Sequence, residues 1–216
     1  MNQRTILTAT WLAAAIEQLS GFALRRAEAI QNEVGFGFRS SPTAPATFAD
    51  LRRERRACQC SGLPLRVSNR HNDSAILAPE INVAYRFWHD CTHIRLNENF
   101  TRMGEVLVGQ EQLRQLEADG HVAGSLPWRL LFAETVGQTE CVHRIGRFPI
   151  DQRRFTIEYL ELGLPTAIRN EAERQHRKAI GVIAKSPLAT VVASETAEVV
   201  PFPQSSWGYQ LGGDAA

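Results

Sequence analysis

A chain of 216 residues is long enough to bury a substantial core as one domain, and 44% hydrophobic with 22% charged residues is a globular composition. The formal net charge of +1 excludes bulk electrostatic attraction to nucleic acid or an anionic membrane, so any such contact must be local. Cys58, Cys60, Cys91 and Cys141 lack C-x-x-C spacing, which excludes a zinc ribbon or thioredoxin-type motif and fits reduced thiols in a cytoplasmic protein.

From about Thr8 to Asn32, Trp11, Leu12, Ala15, Ile16, Leu19, Phe22, Ala23 and Ile30 recur at three- and four-residue intervals. This spacing predicts one long amphipathic helix, or two meeting near Gly21. The apolar run Trp11 to Ile16 is interrupted by Glu17-Gln18, so it reads as this helix and not as a signal peptide. No uninterrupted apolar stretch approaches the ~20 residues needed to cross a bilayer, and no membrane partner is expected.

Gly35, Gly37 and the Ser/Pro/Thr/Ala-rich stretch from Ser40 to Thr47 read as a connector. Between Arg39 and Arg70 there are seven arginines (39, 52, 53, 55, 56, 66 and 70) against Asp50 and Glu54, a local excess of +5 (7 − 2). Arg52, Arg53, Arg55 and Arg56 are therefore candidates for contact with nucleic acid or an acidic partner; the alternative is a solvated helix whose arginines pair with the protein's own acids. Leu63 to Ser68 alternates weakly and suits one short strand, with no evident sheet to join.

Pro79 opens a helix to about Asn97, a second runs from about Phe100 to Ala118, and a third starts after Ser125 and ends near Gly146. Pro149 and Pro165 open two more, to about Leu162 and Ala184. The expected fold is all-α: a single-domain bundle of about five to six helices with antiparallel neighbours. The expected segments are an N-terminal helix (1–34), an irregular arginine-rich connector (35–78), a helical core (79–185) and an extended C-terminal tail (186–216). Ala189 to Val200 suits a short strand or docked segment, and Trp207 in the tail suits docking in a homodimer.

The richest stretch is Tyr85 to His93, which contains His89-Asp90-x-x-His93. With His89 at 0° on a helix of 100° per residue, Asn82, His93, Arg86, Asn97 and Asp90 follow at about 20°, 40°, 60°, 80° and 100°. Apolar residues flank this stripe on both sides: Ile81, Tyr85, Trp88 and Leu96 on one, Val83, Phe87 and Ile94 on the other. Histidines at i and i+4 can chelate one ion, and Asp90 can bind it or orient a ring. The alternative is that the stripe is where the helix meets water.

On the next helix Glu105 and Gln112 lie about 20° apart at the edge of the apolar face, and Gly109 would let a helix or ligand come close. On the third, Glu134 and Gln138 fall in the middle of the apolar stripe, among Pro127, Leu130, Leu131, Cys141 and Ile145. A carboxylate there needs an arginine, a histidine or a metal to face it, with an ion pair to Arg86 as the structural alternative.

Two partial resemblances follow from these residues. Asp90-x-x-His93 and Glu140-x-x-His143, with Glu105 between and Glu17 or Glu28 on the first helix, resemble the ligand order of di-iron helical bundles. His143 lies about 180° from Glu134, so only a variant using His89, His93, Glu105 and Glu134 meets the geometry. His71 with His89-Asp90 resembles the His-Asp phosphohydrolases, which also need a downstream Asp that does not stand out here. The chain is assigned to neither family.

The leading expectation is a metal-dependent enzyme, hydrolytic or of the non-haem iron type. Its metal ligands would be His89, His93, Glu105 and Glu134, with Glu134, Glu105, Asp90 and Gln138 in catalysis and Gln112 orienting. The divalent ion (Zn, Fe or Mn) is not chosen by these ligands, and the substrate would be a small molecule or a phosphate-containing one. The alternative is a non-enzymatic nucleic-acid-binding or accessory protein acting through Arg52, Arg53, Arg55 and Arg56, its polar core serving only to fix helix register.

Overall fold

The computed structural model describes residues 5–6, 9–179 and 198–199. Its first helix, α1 (Ala9–Val34), is one continuous rod across Gly21, burying Leu12, Ala15, Leu19, Phe22, Ala23, Ala27 and Ile30 along the stripe that the periodicity marks out. Trp11 is 54% exposed, so it is not the core anchor its size suggests; it falls next to Leu12, off that stripe.

The segment expected to be an irregular connector has regular structure. Strand β2 (Phe38–Ser41) pairs in parallel with β3 (Leu65–Ser68), from Phe38 opposite Leu65 to Ser41 opposite Ser68. Helix α2 (Phe48–Ser61) makes the crossover that parallel strands require. Its start is set by Thr47, whose hydroxyl accepts from the Asp50 N–H, and its end by Gly62 in the left-handed conformation. Four-residue β2, hemmed by Gly37 and Pro42, is too short to display a period of two. The sheet is bound to the helices by aromatic packing: Phe38 stacks on Phe87 at 4.7 Å, and Leu65 and Val67 are fully buried.

A 3₁₀ turn (Asn72–Ser74) leads to α3 (Pro79–Leu96), then α4 (Arg102–Ala118). The third expected helix is α5 (Leu126–Phe132), a π-helical turn (Ala133–Gly137) and α6 (Gln138–Ile145), continuous to Gly146, which takes the left-handed cap. Asp151, not Pro149, caps α7 (Gln152–Leu162) by accepting from the Arg154 N–H, and α8 (Leu164–Ala179) follows. The expected continuation of α8 to about Ala184 lies outside the described residues, as do the Trp207 docking and the homodimer expected of the tail. Within the tail, β4 (Glu198–Val199) pairs antiparallel with β1 (Thr5–Ile6).

The all-α reading holds: helices make the bundle, and among the described residues the strands form only short two-stranded pairings beside them. α3 lies at its centre, against α1 on one side and α4 on another, while α5 bridges α1 and α4. Trp88 is fully buried with Phe22 edge-on at 5.3 Å, and burying side chains of this size contributes roughly 1.5–3 kcal/mol each. Trp128, partly buried, stacks on Phe132 and donates to Glu117 at 2.7 Å. Cys58, Cys91 and Cys141 are buried in the core and Cys60 is exposed, all four as free thiols. No described helix is long and apolar enough to cross a membrane.

Candidate metal centre

His89 and His93 stand one turn apart on the face of α3 that meets α4, and Glu105 and Gln112, two turns apart on α4, answer them. His89 Nε2 lies 3.0 Å from Glu105 Oε2 and 3.1 Å from His93 Nε2, and His93 Nε2 is 3.4 Å from the same carboxylate oxygen. These three residues are the group among the described residues whose ligand atoms converge as a metal ion would require. The His93 side chain is fully buried, while His89 keeps 18% and Glu105 27% of its exposure, so the centre opens towards solvent on their side.

The remaining ring nitrogens are anchored to oxygen. His93 Nδ1 donates to the carbonyl of Glu98 at 2.9 Å, and His89 Nδ1 lies 2.9 Å from Gln112 Oε1. In the tautomer that carries the proton on Nδ1, facing these oxygens, Nε2 keeps its lone pair, and both lone pairs then face the same carboxylate. The Glu98 carbonyl reaches His93 because α3 ends in a left-handed cap at Asn97, which returns the Glu98 N–H to the carbonyl of His93 at 3.0 Å. Phe100 closes the other side of the His93 ring, edge-on at 4.8 Å. The Gln112 amide nitrogen is buried with no hydrogen-bond partner among the described residues.

In that tautomer three acceptors face one another at these distances, an arrangement that a cation, a proton or a metal ion, between them would satisfy. Burial opposes charging His89, but the hydrogen bond and negative charge of Glu105 raise its pKa above the ordinary value. Burial opposes charging Glu105 as well, but the bonds from His89 and His93 hold its carboxyl well below the usual range. Asp90 is outside the trio; burial pushes its carboxyl up to about 6 against the pull of His89 and His93.

Glu134 and Gln138, expected beside these ligands, form a separate cluster. Glu134, on the π-turn, accepts from Gln138 Nε2 at 3.0 Å and from the Thr156 hydroxyl of α7 at 3.1 Å. Its backbone carbonyl accepts from the Tyr85 hydroxyl at 3.3 Å. Among the described residues no metal-ligating group or ion pair faces it: Arg86 donates instead to the carbonyls of Ser68 and Arg70 at 2.8 and 2.7 Å. Burial raises the Glu134 carboxyl to about 7, against the two hydrogen bonds and the more distant charge of Arg86.

The template residues lie elsewhere. Glu17, Glu28 and His143 are exposed, Glu140 is buried in a 2.7 Å ion pair with Arg102, and His71 is exposed. The arginines of α2 are largely on the surface. Arg53 pairs with Asp50, Arg52 lies over the Phe48 ring, and Arg55 meets Gln59 at 3.4 Å. Arg56 is exposed, and Arg66 grips Glu54 through two nitrogens. A cavity of about 540 Å³ beside α2 has both Asp50–Arg53 and Glu54–Arg66 in its walls, so its charges are already paired.

Comparison of the chain with protein families, curated proteins and solved structures finds no match. The centre therefore rests on its own geometry. Sequence reasoning missed two of the groups that matter: the Glu98 carbonyl, a backbone atom signalled only by Asn97 at a helix end, and Thr156, which looks like any other polar residue of α7.

Proposed function

We propose that the chain is a metal-dependent enzyme whose centre binds one divalent transition-metal ion through His89 Nε2, His93 Nε2 and Glu105. The observation that carries this reading is the aim of the imidazoles: each Nδ1 is held by an oxygen acceptor, and each Nε2 is turned towards one carboxylate oxygen. An ion about 2.0–2.1 Å from each ligand atom would separate those atoms by about 2.8–3.0 Å in octahedral and about 3.3–3.4 Å in tetrahedral geometry. The observed edges of 3.0, 3.1 and 3.4 Å fit that range.

Two imidazoles and one carboxylate favour zinc, iron, manganese or cobalt over magnesium or calcium, which prefer all-oxygen shells. Three protein ligands also leave positions open for water and substrate, unlike the four-ligand closure of structural zinc sites. With zinc, the bound water would serve hydrolysis; with iron(II), the same open positions would serve oxygen chemistry. In either case the chain's part is to present two neutral imidazoles and a carboxylate in fixed directions, with Phe100 shielding the inner one.

Metal content of protein purified without an affinity tag tests this reading. One ion per chain in the wild type, lost in both His89→Ala and Glu105→Ala, is the expected result. A wild type that takes up none of Zn(II), Fe(II), Mn(II) or Co(II) after reconstitution would refute it.

A further inference from the structure

We infer that Gly104 and Gly109 are positioning residues for this centre: the bare backbone at both lets α4 be clamped at the depth where Glu105 meets the two imidazoles. The inference rests on the metal-site reading, and it explains how that site is held. Gly104 immediately precedes Glu105, and a Cβ there would overlap the carbonyl oxygen of Asn99 and sit 3.1 Å from its carbonyl carbon. Asn99 in turn follows Glu98, whose carbonyl holds His93 Nδ1. The turn from Asn97 to Thr101 thus does two things: its Glu98 carbonyl fixes His93, and its Asn99 backbone seats the first turn of the helix that carries Glu105.

Gly109 is the second point of the clamp, between Glu105 and Gln112. A Cβ there would come within 3.0 Å of Thr135 Cβ and Val136 Cγ2 on the π-turn. Thr135 Cβ is fixed by its backbone and moves only if the π-turn moves, and the buried side chain is held further by its hydroxyl, which donates to the Leu131 carbonyl at 2.8 Å. Val136 is β-branched and equally restricted. A side chain at either glycine must therefore move α4, and with it Glu105 and Gln112, relative to His89. Gly21 is the natural control: it lies mid-helix in α1, where a Cβ would meet only the flexible tip of Arg25 at 3.4 Å.

The test measures Co(II) binding by visible absorption and, on metal-free protein, the histidine tautomers by ¹⁵N-correlated NMR, in wild type, Gly104→Ala, Gly109→Ala and Gly21→Ala. The expected result is a Co(II) dissociation constant weakened at least ~10-fold in Gly109→Ala and ~100-fold in Gly104→Ala, on the scale of lost orienting contacts, with Gly21→Ala unchanged. Without metal, the His93 Nδ1–H signal should be lost or shifted in Gly104→Ala, and the His89 signals shifted in Gly109→Ala. Folded glycine variants with wild-type Co(II) affinity and unchanged imidazole signals would overturn the inference. Should Gly104→Ala fail to fold, Gly109→Ala decides by the same criteria. If the wild type binds none of Zn(II), Fe(II), Mn(II) or Co(II), the metal reading fails, and the metal-free imidazole signals still decide whether the glycines position these side chains.

Discussion

Glu105 and Glu134 are both carboxylates set into one helical core, and their surroundings drive them in opposite directions. Glu105 faces two imidazoles that can carry positive charge, and it is held ionised. Glu134 faces a hydroxyl and an amide, neutral donors that relieve only part of the desolvation, and its carboxyl rises to about 7. The first keeps a side open to solvent, whereas the second is shut inside the protein by the π-turn, α3 and α7. Burial of a carboxylate thus does not fix its charge; the charge of what faces it separates an acid held ionised from one pushed towards its neutral form.

The largest contrast should appear in metal binding. Removing a ligand with Glu105→Ala or His93→Ala is expected to weaken Zn(II) or Co(II) binding beyond the ~10–100-fold that second-sphere changes cost. Glu134→Gln should leave it unchanged. Equal losses in all three, measured by competition with a chromophoric chelator, would erase the distinction between the two clusters. Binding at the first cluster should also weaken on acidification, since the imidazoles must shed protons to take a metal.

Glu134 carries the next largest effect, on stability. Its carboxyl titrates at about 7 in the folded chain against an ordinary value of 4.5, so the folded state holds the extra proton between those values. The stabilisation is complete below about 4.5 and is lost as pH rises through about 7, with an upper bound of about 3 kcal/mol. Glu134→Gln should remove this slope, leaving a variant less sensitive to pH and more stable than the wild type at pH 8. Urea midpoints at pH 5 and pH 8 would detect it; parallel slopes for both proteins would mean that Glu134 does not titrate in this window.

Which helix faces meet was less legible in the sequence than which residues share a face. The i, i+4 spacing of His89 and His93 and the 20° separation of Glu105 and Gln112 placed each pair on one face, and those faces meet. Helical periodicity sets direction within an element but not the distance between elements, so nothing separated Glu105 from Glu134 as the partner of the histidines. That choice is made by close approach at Gly104 and Gly109 and by a π-turn, whose extra residue leaves no mark in composition. The connector was misjudged for a related reason: Leu65–Ser68 has a strand's character, but its partner Phe38–Ser41 is too short to announce itself.

Gln112 sharpens the comparison at the metal side. Gln112→Leu removes the acceptor at His89 Nδ1 without touching a ligand, and metal affinity should fall ~10–100-fold while His93 keeps its bond to Glu98. A loss confined to thermal stability, with affinity intact, would mean that the His89 ring is held by packing alone.

The smallest expected effect belongs to Thr156→Val, which deletes one donor to Glu134 while keeping the shape of a fully buried side chain. At pH 5 the Glu134 carboxyl is protonated and the missing hydroxyl should cost about 1 kcal/mol. At pH 8 the carboxylate is ionised and has only Gln138 left to donate to it, so the cost should approach that of a bond to a charged group, about 1.5–3 kcal/mol. The difference between the two pH values, not either cost alone, reports on Glu134. A destabilisation of equal size at both would show that Thr156 contributes packing and that the acid beside it keeps one charge state in the folded chain between pH 5 and pH 8.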